Sequence, residues 1–250
     1  MNLYTNIRKK RLINYHPVEN KWNIAEAIQE IRKRIDQACV KADRKPEEIR
    51  IMGVSKHTSV ESMEEAFYHG ITLFGENRIS SALPKILHFH SNPSLKNAEF
   101  QFIGHLQTNK INKIIPAFSA IQSVSDKNLA QSLDQRVPSY CSPYPVLLEI
   151  KTSDEENKHG WLPEKIFDDF PVLATLSSLS ILGLMTMAPF VENEKAIRES
   201  FITLRETKEK LEKNYAISLR ILSMGMSRDY TIAIEEGSNM IRIGNALFGG

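Results

Sequence analysis

Short runs of mainly apolar residues recur along the chain, and each contains apolar residues at adjacent positions. Their lengths are those of β-strands, and eight can be identified. They span residues 51–54, 73–74, 100–103, 120–121, 146–150, 181–185, 221–222 and 240–243. Strands that are apolar on both faces are typical of a parallel sheet covered by helices. We therefore predict eight parallel strands.

The segments between these runs have the periodicity of amphipathic helices. Apolar residues recur every three or four positions at 60–68, 128–133 and 193–214, which indicates helices with one buried face. A similar stripe at 23–42 predicts a further helix before the first strand. The alternation predicts the α/β class, and eight such units predict a closed (β/α)8 TIM barrel with an extra N-terminal helix. An open, doubly wound sheet is the alternative.

The domain organisation follows from the length and the absence of internal breaks. No linker or low-complexity tract divides the chain, so we expect residues 22–250 to form a single TIM-barrel domain. Residues 139–145 are expected to form an exposed loop. Residues 1–21 contain a basic run at 8–11 with no apolar segment after it, and we interpret them as a solvated, flexible basic leader. Contact of the leader with an acidic partner is the alternative.

Composition argues against several classes of partner. The 32 basic and 30 acidic residues leave a formal net charge of +2, so no overall field favours nucleic acid or a membrane surface. No run is long and apolar enough to span a bilayer. Cys39 and Cys141 lack the close spacing of a dithiol or zinc motif, and we expect a reducing cytoplasm. His88 and His90 have no third ligand nearby, so we expect surface residues and no metal site.

Candidate chemistry lies at the predicted carboxyl ends of the first and last strands, which meet at one mouth in a barrel of this type. Lys56 follows the first strand, and a glycine-bearing turn follows each of the last two strands. Ser227 offers a hydroxyl group, and Gly244 and Asn245 offer backbone amides. The two turns therefore predict a phosphate site, the alternative being that the glycines only close turns.

An amine that faces a phosphate site is what an aldehyde cofactor with a phosphate group requires. We expect Lys56 to be partly buried and to form a Schiff base; a solvated surface lysine is the alternative. Arg242 can keep a pyridine nitrogen unprotonated, unless it pairs with Glu235 or Glu236. Asn77 can donate to a phenolate-type oxygen, or it can cap a helix.

The chain resembles a known family around these residues and at two further places. Six motifs in order carry the resemblance: Gly-Val-Ser-Lys at 53–56, Phe-Gly-Glu-Asn at 74–77, Phe-Ile-Gly-His-Leu-Gln-Thr-Asn-Lys at 102–110, Gly-Leu-Met-Thr-Met at 183–187, Leu-Ser-Met-Gly-Met-Ser-Arg-Asp-Tyr at 222–230 and Met-Ile-Arg-Ile-Gly-Asn-Ala-Leu-Phe-Gly at 240–249. They are similar to those of the pyridoxal-phosphate-binding homeostasis proteins, whose members share the barrel of the alanine racemase N-terminal type.

The resemblance implies a cofactor, pyridoxal 5′-phosphate (PLP), and a set of residues that bind it. Lys56 is implied as the Schiff-base lysine, Arg242 as the partner of the pyridine nitrogen, and Asn77 as a neighbour of the ring. The implied contacts of the phosphate group and its surroundings are Met226, Ser227, Gly244 and Asn245. No catalytic residue and no metal ligand is implied.

The chain departs from the family pattern at six positions. They are Arg78, Ser80, Ser81, Gln101, Ser125 and Lys151. The family usually has tyrosine and a glutamine–glutamate pair at the first three, and histidine, aspartate and asparagine at the others. None of these changes touches the lysine or the glycine turns. We expect cofactor binding to be kept and any surface that hands the cofactor on to differ.

Two functions from different classes follow from the resemblance. The first is a PLP-binding protein of intracellular PLP homeostasis, which holds PLP as a Schiff base and buffers it or delivers it to PLP enzymes in their apo form. The alternative is a PLP-dependent amino-acid racemase or lyase of low activity. A two-base racemase of this fold type uses a tyrosine from an additional β domain of a partner subunit, and the chain ends soon after its last strand. We therefore expect a binding protein rather than an enzyme.

Three residues bear on the remaining enzyme hypotheses. Tyr230 and His105 are candidates for a proton relay, although no motif places either at the mouth. A sugar-phosphate isomerase on the same barrel needs a carboxylate base at a strand end. Glu149 stands at such an end, but the sequence favours a catalytic role for it no more than a packing contact at the edge of the core. We also expect a monomer, because no apolar stripe is left over as an interface.

Overall fold

The computed structural model describes residues 22–153, 155 and 159–249. The basic leader predicted at 1–21 and the last residue of the predicted domain lie outside these residues. Eight strands are present: β1 (Arg50–Val54), β2 (Leu73–Glu76), β3 (Glu99–Phe102), β4 (Ala120–Val124), β5 (Tyr144–Glu149), β6 (Leu179–Met185), β7 (Ile221–Met226) and β8 (Met240–Ile243). All of them pair in parallel with their neighbours in the chain, and β8 returns to β1. The closed barrel is confirmed, and the open sheet is excluded.

Helices surround the barrel. Within the described residues they are α1 (Ile24–Lys41), α2 (Val60–Tyr68), α3 (Ile79–Ser91), α4 (Ile111–Ile114), α5 (Lys127–Asp134), α6 (Ile166–Leu173), α7 (Glu194–Tyr215), α8 (Tyr230–Glu235) and α9 (Asn245–Phe248). The predicted helix before the first strand is therefore present as α1. It packs against α2, α8 and α9. The helix that follows β8, α9, is only about one turn long, and α1 covers this side of the barrel together with it.

The longest helices begin at asparagine caps and bury the stripe that the sequence predicts. The side chain of Asn23 accepts a hydrogen bond from Glu26 N at the start of α1. Asn193 accepts from Lys195 N and Ala196 N at the start of α7. Such caps satisfy amides that lack a partner in the first turn of a helix. No helix in the described part of the chain is long and apolar enough to cross a membrane.

The loop predicted at 139–145 is only partly correct. Ser139–Cys141 form a short 3-10 turn, and Tyr140 is 79% exposed. Tyr144, however, begins β5 and is buried, with its hydroxyl group donating to Phe118 O at 2.6 Å. The proline and serine signals of this segment suit a turn, but pairing with β6 extends the strand into it.

Candidate functional site

A cavity of about 860 Å³ opens at the carboxyl ends of β1, β6, β7 and β8. Six of the seven residues predicted to bind the cofactor line it: Lys56, Met226, Ser227, Arg242, Gly244 and Asn245. Because the carboxyl ends of parallel barrel strands share one face, closure of β8 onto β1 brings the two ends of the sequence together here. The seventh predicted residue, Asn77, is absent from the lining.

Lys56 lies in a tight turn that follows β1. The turn is closed by a hydrogen bond from Thr58 N to Ser55 O at 2.9 Å. The side chain of Lys56 reaches the cavity, but the residue is exposed rather than partly buried. The expectation of burial was wrong because Lys56 stands two residues beyond the strand, where neighbouring strands no longer cover it.

The two glycine-bearing turns meet on the cavity wall. Ser227 Oγ accepts a hydrogen bond from Ala246 N at 3.2 Å and so joins the turn after β7 to the start of α9. The amides of Gly244 and Asn245 have no hydrogen-bond partner among the described residues. This combination of one hydroxyl group and free amides at a cavity can bind the oxygens of an anion.

The two glycines of these turns have different roles. Gly225 has a φ of +94°, and a Cβ there would lie 2.6 Å from Ala233 Cβ and 2.9 Å from Tyr230 Cα. Only glycine allows this turn to pack against α8, so the turn-closing interpretation holds for Gly225. A Cβ at Gly244 would meet nothing closer than Val54, at 3.6 Å. Close packing within the protein does not require Gly244, and its lack of a side chain leaves the cavity wall open.

Arg242 is buried, and its guanidinium group is fixed by backbone oxygens. Nη1 donates to Ser223 O at 2.7 Å and to Ser223 Oγ at 2.8 Å, and Nη2 donates to Thr186 O at 2.7 Å. The predicted alternative, a salt bridge to Glu235 or Glu236, is wrong. Those carboxylates instead bind Arg198 at 2.7 Å and 2.8 Å, on the outside of the barrel.

Two buried carboxyl groups compensate the charge of Arg242. Burial lowers the pKa of Arg242 to about 10, while Asp229 and Glu149 act in the opposite direction. Burial also raises the pKa of Glu149 to about 7, against the effect of Arg242. The pKa of Asp229 is raised by burial as well, although Asp229 Oδ1 accepts from Met226 N at 2.6 Å. The guanidinium group therefore remains a cation at neutral pH.

A series of hydrogen-bonded polar side chains inside the barrel extends from Ser223, the residue that binds Arg242. Ser223 Oγ donates to Gln122 Oε1 at 2.6 Å, and Gln122 Nε2 donates to Gln101 Oε1 at 2.7 Å. All three side chains are buried. Gln101, one of the departures from the family pattern, thus belongs to a satisfied network that ends at Arg242. None of the six departures lines the cavity.

Asn77 does not cap the helix that follows it, and it is absent from the residues that line the cavity. The residue before α3 is Arg78, and no side-chain hydrogen bond caps that helix. The backbone of Asn77 packs closely on Gly104, where any Cβ would clash with the Asn77 carbonyl group. This close approach explains the glycine in the motif after β3. The two loops after β2 and β3 are therefore in close backbone contact at Asn77 and Gly104.

Neither candidate for a proton relay lines the cavity. Tyr230 is buried in the first turn of α8, and burial raises the pKa of its phenol group. His105 stacks on His159 with ring centroids 4.0 Å apart. Burial, followed by the proximity of His159, lowers the pKa of His105. Glu149 is also outside the lining, so the structure brings none of these three residues to the site.

The outer wall of the cavity contains a contact that the sequence analysis missed. The guanidinium carbon of Arg228 lies 4.4 Å from the centroid of the Phe190 ring. Phe190 stands in the loop after β6 and is 78% exposed, and both residues line the cavity. Arg228 directly follows Ser227, so this cation–π contact ties the loop after β6 to the turn after β7. No sequence pattern indicates such a pairing between two loops.

Comparisons with known proteins agree with this geometry. Residues 23–250 match the family model of the alanine racemase N-terminal domain. Over 229 residues the chain is 36% identical to the pyridoxal phosphate homeostasis protein of Aquifex aeolicus. The aligned region covers 91% of this chain and 98% of that relative.

Solved structures extend the comparison. PipY of Synechococcus elongatus, solved with PLP bound, superposes with a TM-score of 0.80 at 29% identity, covering 91% of this chain and all of that one. An alanine racemase of Clostridium difficile, in complex with cycloserine, superposes with a TM-score of 0.69 at 16% identity. This chain covers 60% of that racemase, and at such identity the likeness extends to the fold alone.

Proposed function

Because the chain belongs to the alanine racemase N-terminal domain family, and within it to the pyridoxal phosphate homeostasis proteins, we propose that it binds pyridoxal 5′-phosphate and takes part in the intracellular homeostasis of this cofactor. One observation carries the proposal. A lysine, a buried arginine, a serine hydroxyl group and two free backbone amides, which come from opposite ends of the sequence, line the same cavity.

The residues of the cavity suit the three parts of the cofactor. Ser227 Oγ and the amides of Gly244 and Asn245 bind the phosphate group, next to the backbone of Met226. Arg242 would lie beside the ring nitrogen and offer it Nε, since both of its Nη atoms are already engaged and no hydrogen bond to a described residue uses Nε. Lys56 supplies the primary amine. Bound PLP supplies an aldehyde that condenses with an amine and releases water.

The position of Arg242 supports a carrier rather than a catalyst. A guanidinium group that stays charged cannot protonate the ring nitrogen, so the ring is a weak electron sink. Tyr230 and His105 lie outside the cavity lining and provide no acid or base there. The protein therefore holds a reactive aldehyde reversibly, without turnover, and buffers it or releases it to PLP enzymes in their apo form. We place this activity in the cytoplasm.

The test is covalent trapping of the cofactor. Purified protein is mixed with PLP and reduced with borohydride, and the modified peptide is identified by mass spectrometry. We expect the added mass on Lys56. Lys56→Ala and Lys56→Arg should remove both the added mass and the visible absorbance band while leaving the fold intact, because no described contact of the core uses the Lys56 side chain.

Lys110→Ala is the matched control, since Lys110 is an exposed lysine after β3 that does not line the cavity. It should be trapped as fully as the wild-type protein. Amino acids are then added to the loaded protein, and no racemised or eliminated product is expected. Trapping on another lysine would overturn the role of Lys56, and turnover would favour the racemase or lyase alternative.

A further inference from the structure

A buried ion pair lies directly behind the turn that carries Lys56. Lys85, on α3, donates from Nζ to Glu76 Oε1 at 2.8 Å. The side chain of Glu76, the last residue of β2, is fully buried, and that of Lys85 is 11% exposed. Charged residues are seldom buried to this extent, so the pair requires an explanation.

Both members of the pair bind Ser55, the residue before Lys56. Lys85 Nζ donates to Ser55 O at 2.6 Å, and Ser55 Oγ donates to Glu76 Oε1 at 2.8 Å. Ser55 N donates to Gly75 O at 3.1 Å, and Ser55 O also accepts the hydrogen bond that closes the turn. Every polar atom of Ser55 is therefore bonded, to partners on β2, on α3 and within the turn.

Stability alone does not account for the pair. Removing two charges from water costs free energy that their attraction repays only when all their hydrogen bonds are made. Here Glu76 Oε2 is buried and has no hydrogen-bond partner among the described residues. Replacing such a pair with apolar residues of similar volume is often neutral or stabilising. The charges of this pair therefore do not follow from the needs of folding stability.

We propose that the Glu76–Lys85 pair is a positioning device for Lys56, which fixes the Ser55–Thr58 turn so that the amine is presented to the aldehyde of the cofactor. Neither member of the pair lines the cavity, so both act through the turn. Lys56 itself is exposed, whereas Ser55 at the start of its turn is buried and is bonded to both members of the pair. This inference rests on the proposed function.

The test separates presentation of the amine from binding of the rest of the cofactor. PLP is compared with pyridoxine 5′-phosphate, which has the same ring and phosphate group but an alcohol in place of the aldehyde. The double variant Glu76→Leu/Lys85→Met removes both charges together, so neither charge is left buried and unpaired. We expect its affinity for PLP to fall about tenfold, the effect of losing a hydrogen bond to a charged group. Its affinity for pyridoxine 5′-phosphate should be unchanged.

A milder variant keeps the test decisive if the double variant does not fold. Ser55→Ala removes only the bond from Ser55 Oγ to Glu76 and should weaken PLP binding in the same selective way, by a smaller factor. Equal affinities of variant and wild type for PLP, or an equal loss for both ligands, would overturn the positioning role. Failure of the wild-type protein to be trapped by PLP would instead overturn the proposed function.

Discussion

A single buried cation, Arg242, determines much of the electrostatics of the cavity. Its Nη atoms are held by backbone oxygens on β7 and after β6, and its charge is compensated by Glu149 and Asp229 without a direct salt bridge to either among the described contacts. Such an arrangement fixes the direction of the guanidinium group while leaving part of it free to meet a ligand. A substitution of Arg242 can therefore test whether the residue binds a ligand or only supports packing.

Arg242→Ala should weaken PLP binding about tenfold or more and shift the absorbance band of the bound cofactor. The physical reason is loss of a buried charged donor that, in the proposed binding mode, lies beside the ring nitrogen. Titration by absorbance measures both quantities. Arg228→Ala is the control, because Arg228 is an exposed cation that lines the same cavity but stacks on Phe190. An unchanged spectrum and affinity for Arg242→Ala would assign Arg242 a structural role only.

Glu149 makes the folding stability depend on pH. Burial raises its pKa from an ordinary value of 4.5 to about 7. The folded state thus binds this proton more tightly than the unfolded state, and stability is lost as the pH rises from about 4.5 through about 7. The shift corresponds to about 3 kcal/mol in the free energy of unfolding.

Glu149→Gln removes this loss. Relative to the wild-type protein, the variant should be about 1 kcal/mol more stable at pH 5 and about 3 kcal/mol more stable at pH 8. Urea unfolding at the two pH values measures the difference. Glu164→Gln, at an exposed position on the surface, should show no such change. A difference between Glu149→Gln and wild type that is the same at both pH values would show that Glu149 does not titrate in this range.

At the scale of elements, the sequence predicts the strands better than the helices. All eight apolar runs are strands, because a strand buried on both faces has a compositional signal of its own. Their ends were predicted too short where pairing continues through polar or glycine residues. β2 runs on through Gly75 and Glu76, and β7 continues to Met226. Register with a neighbouring strand, which is a non-local property, decides these ends.

The alternation implies a helix after each strand, but the sequence analysis gave no bounds for five of the helices, for two reasons. α3 and α6 contain a proline inside the helix, at Pro84 and Pro171, and proline removes a backbone hydrogen bond. They form because their apolar faces are buried; in α3 the buried residues include Ile86 and Phe89. α4, α8 and α9 are too short to show a period, and tertiary packing alone stabilises them.

For the whole molecule, the closed barrel is what made most of the site predictable. Once eight parallel strands are assigned, their carboxyl ends share one face, and Lys56 and the two glycine turns must converge. The burial of each side chain, and whether it reaches the cavity, did not follow from this argument. Lys56 proved exposed, and Asn77 is absent from the cavity lining. Lys85 forms a buried ion pair that no local pattern indicates. Such details depend on side-chain packing between distant elements.

The distribution of apolar surface supports the proposal that the protein is a monomer. Exposed large apolar side chains in the described residues lie on several different elements, among them Val40 on α1, Tyr68 on α2, Leu87 on α3 and Phe190 after β6. A stable interface between two copies needs such residues gathered on one face. We therefore expect a mass near 28.5 kDa by light scattering after size exclusion, independent of concentration and of added PLP. Twice that mass would overturn the proposal, and Leu83→Ser/Leu87→Ser, which alters the exposed apolar pair on α3, would then test whether α3 forms the interface.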